Sequence, residues 1–138
     1  MNILYTAEAT ATGDGRNGHT RSSDGKVDFE LSVPAEMGGP GGDGTNPEQL
    51  FAASYSACFH SALRLVARRA GVDPGESTVT AQVGIGAEAE AYELMVTLVI
   101  AVPGLDREKT RELADATHQV CPYSRATRGN ISVELRVP

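Results

Sequence analysis

The sequence has no tryptophan, only two cysteines among its 138 residues, and fewer basic than acidic side chains. Its formal net charge is −6 and its pI is near 5.0. Because no group of lysine and arginine residues alternates with aromatic ones, nucleic acid is not an expected partner. No apolar run approaches the roughly 18 residues that a membrane span needs. What remains is a globular protein with a single domain over residues 1–138.

The expected cellular compartment indicates what the two cysteines are used for. The first residues lack a basic segment followed by an apolar one, so no secretory signal and a cytoplasmic location are expected. Thiols are kept reduced in the cytoplasm. Cys58 and Cys121 are therefore more typical of catalysis, redox sensing or metal binding than of a permanent disulfide.

The longest predicted element is one helix over residues 46–71. Asn46 suits its N-cap, Pro47 suits the first helical position, and Gln49 can complete a capping box. Gly71 can adopt the left-handed conformation that ends many helices. Apolar and small side chains recur at helical spacing and predict the buried face, which comprises Phe51, Tyr55, Cys58, Ala62 and Leu65, widened by Leu50, Ala57 and Val66.

Strand patterns surround this helix. Alternating apolar residues predict an antiparallel meander before it, and a glycine-rich lid or crossing loop follows the meander. After the helix come a half-buried strand, a central strand that is apolar on both faces, a second helix and a last strand. These predicted elements are residues 3–12, 19–23 and 27–33, the loop 34–45, and then 79–87, 94–102, 106–121 and 131–137. The order predicts an α+β fold.

The second helix has its own signals. Asp106 is the expected N-cap, and Pro122 requires the helix to end near Cys121. Its apolar side is predicted to comprise Leu113, Ala116, Thr117 and Val120.

The two thiols differ in electrostatic position. Cys58 lies in the middle of a helix, where the macrodipole gives no help, so a buried thiol there is inert unless a cation reaches it. Cys121 lies at a helix C-terminus, whose partial negative charge disfavours a thiolate. This difference favours a division in which Cys58 attacks and Cys121 reacts second. The alternatives are a small core residue at Cys58 and an idle thiol at Cys121.

Two further features are open to more than one interpretation. Arg16 lies in a glycine-rich turn, residues 13–18, where a solvated surface arginine is the ordinary outcome. His118 and Cys121 share a helix face and, with Cys58, offer three metal ligands, although the usual Cys-x-x-Cys pairing is missing. We expect no metal and no cofactor.

Four stretches carry a resemblance to a known family. TNPEQLFAASYSACF (45–59), VCPYS (120–124), LYTAEATATGDGRNG (4–18) and SSDGKVDFEL (22–31) closely resemble the OsmC/Ohr family. The short glycine turn, with no longer insertion in the meander, is similar to the organic hydroperoxide resistance (Ohr) branch. The resemblance covers nearly the whole chain.

The resemblance implies a thiol peroxidase that acts as an intertwined homodimer, with antiparallel sheets around a long central helix plus a second helix, and with active sites at the subunit interface. Cys58 is then the peroxidatic thiol, Cys121 the resolving thiol, Arg16 the activating cation, and Glu48 the carboxylate that orients the arginine. The implied substrates are alkyl and fatty-acid hydroperoxides. The implied reductant is dihydrolipoamide or a lipoylated protein, rather than thioredoxin or glutathione.

Helix geometry adds one expectation. Glu48 and Cys58 are ten residues apart, which is roughly 15 Å along one straight helix. Two copies that cross antiparallel near Ala53 would bring Glu48 of one chain toward Cys58 of the other, so we expect Glu48 to serve the partner's thiol. The expected apolar walls for an organic substrate are Phe51, Tyr55, Phe59, Leu63 and Met37, most of them more typical of core. The alternatives to an Ohr-type reductase are an OsmC-like peroxidase with a different substrate range and a two-cysteine redox sensor without fast turnover.

Overall fold

The computed structural model describes all residues, Met1–Pro138. The chain divides into two compact units, Met1–Leu50 and Phe51–Pro138. Two three-stranded sheets and three α-helices confirm the α+β class. The single domain over residues 1–138 stays a prediction. None of the helices combines the length and the apolar character that crossing a membrane demands.

The first unit contains the predicted antiparallel meander. Strands β1 (Ala9–Thr12), β2 (His19–Ser22) and β3 (Asp28–Glu30) pair in that order. β1 is shorter than predicted, because residues 1–8 form no regular element and are exposed. All residues of β1 and β3 are exposed as well. This small sheet therefore buries little surface within the chain.

The glycine-rich segment that follows is a tightly folded loop. It contains a single 3-10 turn, Ala35–Met37, and returns to the sheet edge through a bridge between Leu31 and Thr45. A Cβ on Gly44 would lie 2.5 Å from Ser32 Oγ and 2.6 Å from the carbonyl carbon of Leu31, so the close approach requires glycine. Its predicted role as a lid or crossing loop is not tested by this geometry.

The long helix α1 covers Pro47–Arg69 without a break. Asn46 Oδ1 accepts a hydrogen bond from the Gln49 N–H at 2.8 Å, which confirms the predicted N-cap. The Gln49 side chain accepts instead from Thr45 Oγ1, so the capping box is not the one predicted. Gly71 has φ +73°, as expected for the residue that ends the helix.

The buried face of α1 differs in part from the prediction. Its fully buried side chains are Tyr55, Phe59, Leu63 and Ala67. Leu65 is 44% exposed and Ala57 is exposed, so both were wrongly placed on the buried face. The four buried side chains follow one another at intervals of four residues, which places them on one face of a helix with 3.6 residues per turn. The predicted face, which included Cys58 and Leu65, is rotated away from this one.

The second sheet has the order β4 (Thr78–Glu88), β5 (Ala91–Ala101) and β6 (Ser132–Arg136). β5 is the central strand, as its continuous apolar pattern predicted. β4 and β5 are antiparallel, but β5 and β6 are parallel, which corrects the expectation of purely antiparallel sheets. The parallel pair arises because the connection from β5 to β6 passes through two helices.

Those helices are α2 (Arg107–Val120) and α3 (Pro122–Thr127). Asp106 caps α2, its side chain accepting from the Lys109 N–H at 2.8 Å, as predicted. α2 buries Thr110, Leu113, Ala114 and Thr117, whereas Ala116 and Val120 are exposed. In the core of the second unit, the buried residues of α1 pack with those of α2 and with Val96, Leu98 and Ile100 of β5.

Candidate active site

The two cysteines lie side by side in the second unit. Cys58 on α1 is half-buried, Cys121 is fully buried at the junction of α2 and α3, and both are free thiols. Their Sγ atoms are 3.7 Å apart. A disulfide needs about 2.05 Å, so a shift of under 2 Å would join them. The structure thus brings together two residues that are 63 positions apart in the sequence.

The environment of Cys58 acts on its acidity in opposite directions. Burial raises the pKa of the Cys58 thiol above its ordinary value, and the neighbouring Cys121 adds to the rise. The backbone N–H of Tyr123 donates to the sulfur and lowers the pKa. This donor comes from the first turn of α3, a helix that the sequence pattern did not predict. Burial remains the larger effect, as expected for a thiol in the middle of a helix.

A chain of hydrogen bonds joins the helices that carry the two cysteines. Tyr55 Oη is 2.9 Å from Ser124 Oγ and 3.0 Å from Thr127 Oγ1, all three side chains being buried. Ser124 Oγ also lies 2.8 Å from His118 Nδ1. Burial lowers the pKa of His118, and the nearby Arg128 charge lowers it further. These groups tie α1, α2 and α3 to one another next to the two sulfurs.

Arg16 and Glu48 form the other pair, within the first unit. The Arg16 guanidinium donates two parallel hydrogen bonds to the Glu48 carboxylate, with Nη1 2.8 Å from Oε2 and Nη2 2.7 Å from Oε1. Glu48 is 11% exposed and Arg16 is 39% exposed. The hydrogen bonds from Arg16 hold the pKa of Glu48 below its ordinary value. The arginine is therefore held by a carboxylate, and the interpretation as a merely solvated surface residue is wrong.

The glycine turn sets the position of Arg16. Residues Gly15–Asn17 form one 3-10 turn, and Asn17 Oδ1 accepts from the Val33 N–H at 3.1 Å. A Cβ on Gly18 would lie 2.2 Å from the carbonyl oxygen of Thr12. Only glycine permits that closure.

An open cleft of about 900 Å³ lies in the second unit. It is lined by Phe51 from α1, by Tyr92 and Leu94 from β5, and by Tyr123 and Ile131. Tyr123 connects the cleft to the thiol, since its backbone N–H donates to Cys58 while its ring lies tilted against that of Tyr55, with 5.6 Å between the ring centroids. The cleft is mainly apolar, although Glu88 and Glu93 are among its lining residues.

Of the predicted apolar walls, only Phe51 lines this cleft. Tyr55, Phe59 and Leu63 are fully buried core residues, which is the more typical outcome for apolar side chains of such a helix. Met37 is 38% exposed in the first unit.

The three-ligand metal alternative finds no support in the geometry. His118 directs Nδ1 to Ser124, and no group of three or more His, Cys, Asp or Glu side chains is arranged to hold a metal ion.

Three features of the site were missed at the level of sequence: α3, the Tyr123 N–H and the Tyr55–Ser124–His118 hydrogen bonds. Pro122 was a usable signal, because proline directly after a helix end also suits the first position of a new helix. The backbone donor and the side-chain partners depend on the angle between α2 and α3, which no local pattern gives.

Comparison with known proteins places the chain in a family. The OsmC-like protein family model matches residues 39–136. An organic hydroperoxide resistance protein of Xanthomonas axonopodis pv. citri is 55% identical over 134 residues, covering 96% of this chain and 94% of the relative. The crystal structure of an organic hydroperoxide resistance protein from Elizabethkingia anophelis matches with a TM-score of 0.92 and 54% identity, over 99% of this chain and 98% of that one.

The crystal structure of the organic hydroperoxide resistance protein OhrB of Bacillus subtilis matches with a TM-score of 0.89 and 45% identity, over 99% of this chain and 100% of that one. These likenesses confirm the resemblance that the cysteine and arginine motifs carried. The chain belongs to the OsmC-like family and, within it, to the organic hydroperoxide resistance branch.

Proposed function

We propose that the protein is a thiol-dependent reductase of organic hydroperoxides, which converts alkyl and fatty-acid hydroperoxides to alcohols. The observation that carries the proposal is the pair of free thiols 3.7 Å apart, one half-buried and one sealed, in a chain of this family. Such a pair can pass through a disulfide with little movement. The names of the relatives point to organic hydroperoxides as the substrate class.

The proposed cycle begins at Cys58. Its thiolate attacks the outer oxygen of the peroxide, the O–O bond breaks, and the alkoxide leaves and takes a proton to become the alcohol. The resulting sulfenic acid of Cys58 reacts with the Cys121 thiol, forming the S–S bond and releasing water. A dithiol then reopens the disulfide by exchange.

Arg16 is the proposed activating cation. Burial raises the pKa of Cys58, so fast attack at neutral pH requires a group that favours the thiolate more than the Tyr123 N–H does alone. A guanidinium supplies both a positive charge and donors for the leaving oxygen. Glu48, in its two-bond fork with Arg16, is the proposed positioning residue for that cation.

Variants of two arginines of the first unit test that role. Arg16→Ala is expected to raise the kinetic pKa of Cys58 and to slow peroxide consumption by roughly a hundredfold or more. Arg21→Ala is the matched control, because Arg21 is 59% exposed and lies 3.7 Å from Asp28. Equal thiol pKa values and rates in the two variants would remove Arg16 from the mechanism.

The apolar cleft is the proposed place for the organic part of the peroxide. Its lining rings and aliphatic side chains, those of Phe51, Leu94 and Ile131 among them, favour an alkyl chain over water. Leu94→Asp is expected to raise KM for cumene hydroperoxide while leaving the reaction with hydrogen peroxide unchanged. An equal loss with both peroxides would count against the cleft.

A lipoyl dithiol, free or on a lipoylated protein, is the proposed reductant. The Cys121 sulfur is sealed, so a reductant must reach the disulfide through the half-buried Cys58. Steady-state kinetics with dihydrolipoamide, thioredoxin and glutathione compare the donors directly. Faster recycling by thioredoxin or glutathione would refute this part. The cycle needs a reducing compartment, and we propose the cytoplasm.

The homodimer is proposed from exposure. Ile3, Leu4 and Tyr5 are 62%, 92% and 78% exposed, and both outer strands of the first sheet are exposed along their length. So much apolar surface in a short segment is typical of an interface. Because α1 has no break, Glu48 stays about ten helical residues from Cys58 of its own chain. We therefore keep the proposal that Glu48 serves the partner's thiol.

Subunit mixing tests this arrangement. Arg16→Ala and Cys58→Ser homodimers are each expected to be inactive. If Arg16 and Glu48 serve the partner, a mixed dimer regains one intact site, and an equal mixture recovers about a quarter of wild-type activity. If they serve their own chain, mixing restores nothing.

A two-cysteine redox sensor is the second candidate, favoured by the burial that raises the pKa of Cys58 and so slows attack. An OsmC-like peroxidase with a different substrate range is the third. Loss of t-butyl or cumene hydroperoxide with dihydrolipoamide separates them. Sustained turnover supports the reductase, one slow oxidation without recycling supports the sensor, and turnover restricted to other peroxides supports the OsmC-like alternative.

A further inference from the structure

The hydrogen bonds next to the cysteines join the segments that carry them. Tyr55 lies three residues before Cys58 on α1, so it is on the same side of the helix, one turn earlier. Its hydroxyl, at the fully buried end of the side chain, reaches Ser124 and Thr127 of α3 at 2.9 and 3.0 Å. The contact attaches the whole of α3 to the helix of the attacking thiol.

Cys121 is held from both sides by the same group of residues. Its N–H donates to the Thr117 carbonyl of α2 at 2.9 Å, and its carbonyl accepts from the Arg125 N–H of α3 at 3.0 Å. His118, three residues before it, hydrogen-bonds Ser124, three residues after it, at 2.8 Å. The junction is therefore held together by its own hydrogen bonds, and the Tyr55 hydroxyl connects it to α1 through two buried ones, in addition to the Tyr123 N–H that donates to Cys58.

We infer that Tyr55 is a positioning residue for disulfide closure. Its hydroxyl holds the α2–α3 junction against α1, so that Cys121 Sγ stays 3.7 Å from Cys58 Sγ. The inference rests on the proposed function and deepens its second step. In that step the S–O bond of the Cys58 sulfenic acid breaks, the S–S bond forms, and the Cys121 proton leaves with the hydroxide as water.

The chemistry argues for a role beyond filling the core. A phenylalanine would fill the same volume, and the ring contacts of Tyr55 with Phe51 and Tyr123 do not need the hydroxyl. The two partners of the hydroxyl have other bonds, Ser124 with His118 and Thr127 with the Ser124 carbonyl. What the hydroxyl adds is a fixed direction between helices, because hydrogen bonds lose strength steeply when misaligned.

The test follows the two chemical steps separately. Reduced wild-type protein, Tyr55→Phe and Ser124→Ala are mixed with cumene hydroperoxide, and peroxide loss, free thiols and Cys58 sulfinate are measured over time. Thr80→Val is the matched control, because it removes a hydroxyl from an exposed side chain of β4. Oxidation of each reduced protein by diamide measures disulfide closure without any peroxide chemistry.

Tyr55→Phe is expected to consume its first equivalent of peroxide at the wild-type rate, to close the disulfide about tenfold more slowly, and to accumulate more sulfinate. Ser124→Ala should change the same step in the same direction, and Thr80→Val should change neither. Wild-type closure rates in Tyr55→Phe, or an equal slowing of both steps, would overturn the inference. If the wild-type protein fails to reduce the peroxide, the proposed function fails, and the diamide comparison still decides the role of Tyr55.

Discussion

Removing the second thiol provides the most quantitative prediction. A group confined within 3.7 Å of Cys58 Sγ has a local concentration of about 8 M, if it is treated as one molecule in a sphere of that radius. A dithiol present at about 1 mM in solution is roughly 8,000-fold less concentrated. In Cys121→Ser the Cys58 sulfenic acid must wait for that external thiol. Its lifetime should therefore increase by three to four orders of magnitude, on the order of the concentration ratio.

The longer lifetime exposes Cys58 to a second peroxide molecule. The peroxide concentration at which half of the Cys58 becomes sulfinate is expected to fall by roughly a thousandfold or more, while the first equivalent of peroxide disappears at the wild-type rate. Intact mass spectrometry after peroxide titration distinguishes disulfide, sulfenate and sulfinate. Val120→Ala serves as the control for the junction, because Val120 is 48% exposed next to Cys121. Sustained wild-type turnover in Cys121→Ser, without sulfinate, would refute the reasoning.

Three further predictions concern single residues. Cys58→Ser should abolish turnover in the peroxidase assay, since Cys121 is sealed, and any residual rate above background would contradict the assignment. Glu48 has its pKa lowered from 4.5 by Arg16, so the pair stabilises the fold above that value and the contribution is lost as the pH falls through the lower folded pKa. Glu48→Gln should therefore be less stable than the wild type by roughly 1 kcal/mol at pH 7. This difference in the free energy of unfolding, followed by circular dichroism, should shrink as the pH falls below 4.5, and a difference that does not change with pH would contradict the role of the pair. Phe59→Ala should lower the free energy of unfolding in urea by about 3–5 kcal/mol, since Phe59 is fully buried, whereas exposed Gln119→Ala should stay within about 0.5 kcal/mol.

Local patterns predicted the elements whose limits are set by local chemistry. The N-cap at Asn46, the left-handed Gly71 and the Asp106 cap all follow from side-chain and backbone preferences within a few residues. Packing decided the rest. Leu65 is as apolar as Leu63, yet only Leu63 meets the core, because the contact face is chosen by the sheet on which α1 packs.

The candidate site divides in the same way. Cys58 and Cys121 could be singled out because a thiol has chemistry of its own, and Arg16 and Glu48 because of a resemblance that extends over the chain. The Tyr123 N–H could not be, because every residue except proline has one and only the start of α3 directs this one at a sulfur. Tyr55 could be recognised from the sequence only as a core residue, because its ring packs in the core like that of Phe59 and only its hydroxyl differs.

Burial of the Cys58 sulfur has two opposite consequences for the proposed chemistry. It raises the pKa of the thiol and so reduces the fraction that can attack a peroxide at neutral pH. It also limits the access of a second peroxide to the sulfenic acid that attack creates. The first effect can be reversed by a fixed cation and a backbone donor without exposing the sulfur to water, whereas the protection is lost once the sulfur is solvated. In the proposed cycle, charged and hydrogen-bonding groups ionise a half-buried thiol, and a second sulfur 3.7 Å away converts its sulfenic acid rapidly to a disulfide. Such a thiol is therefore better suited to repeated turnover than an exposed thiol of ordinary pKa.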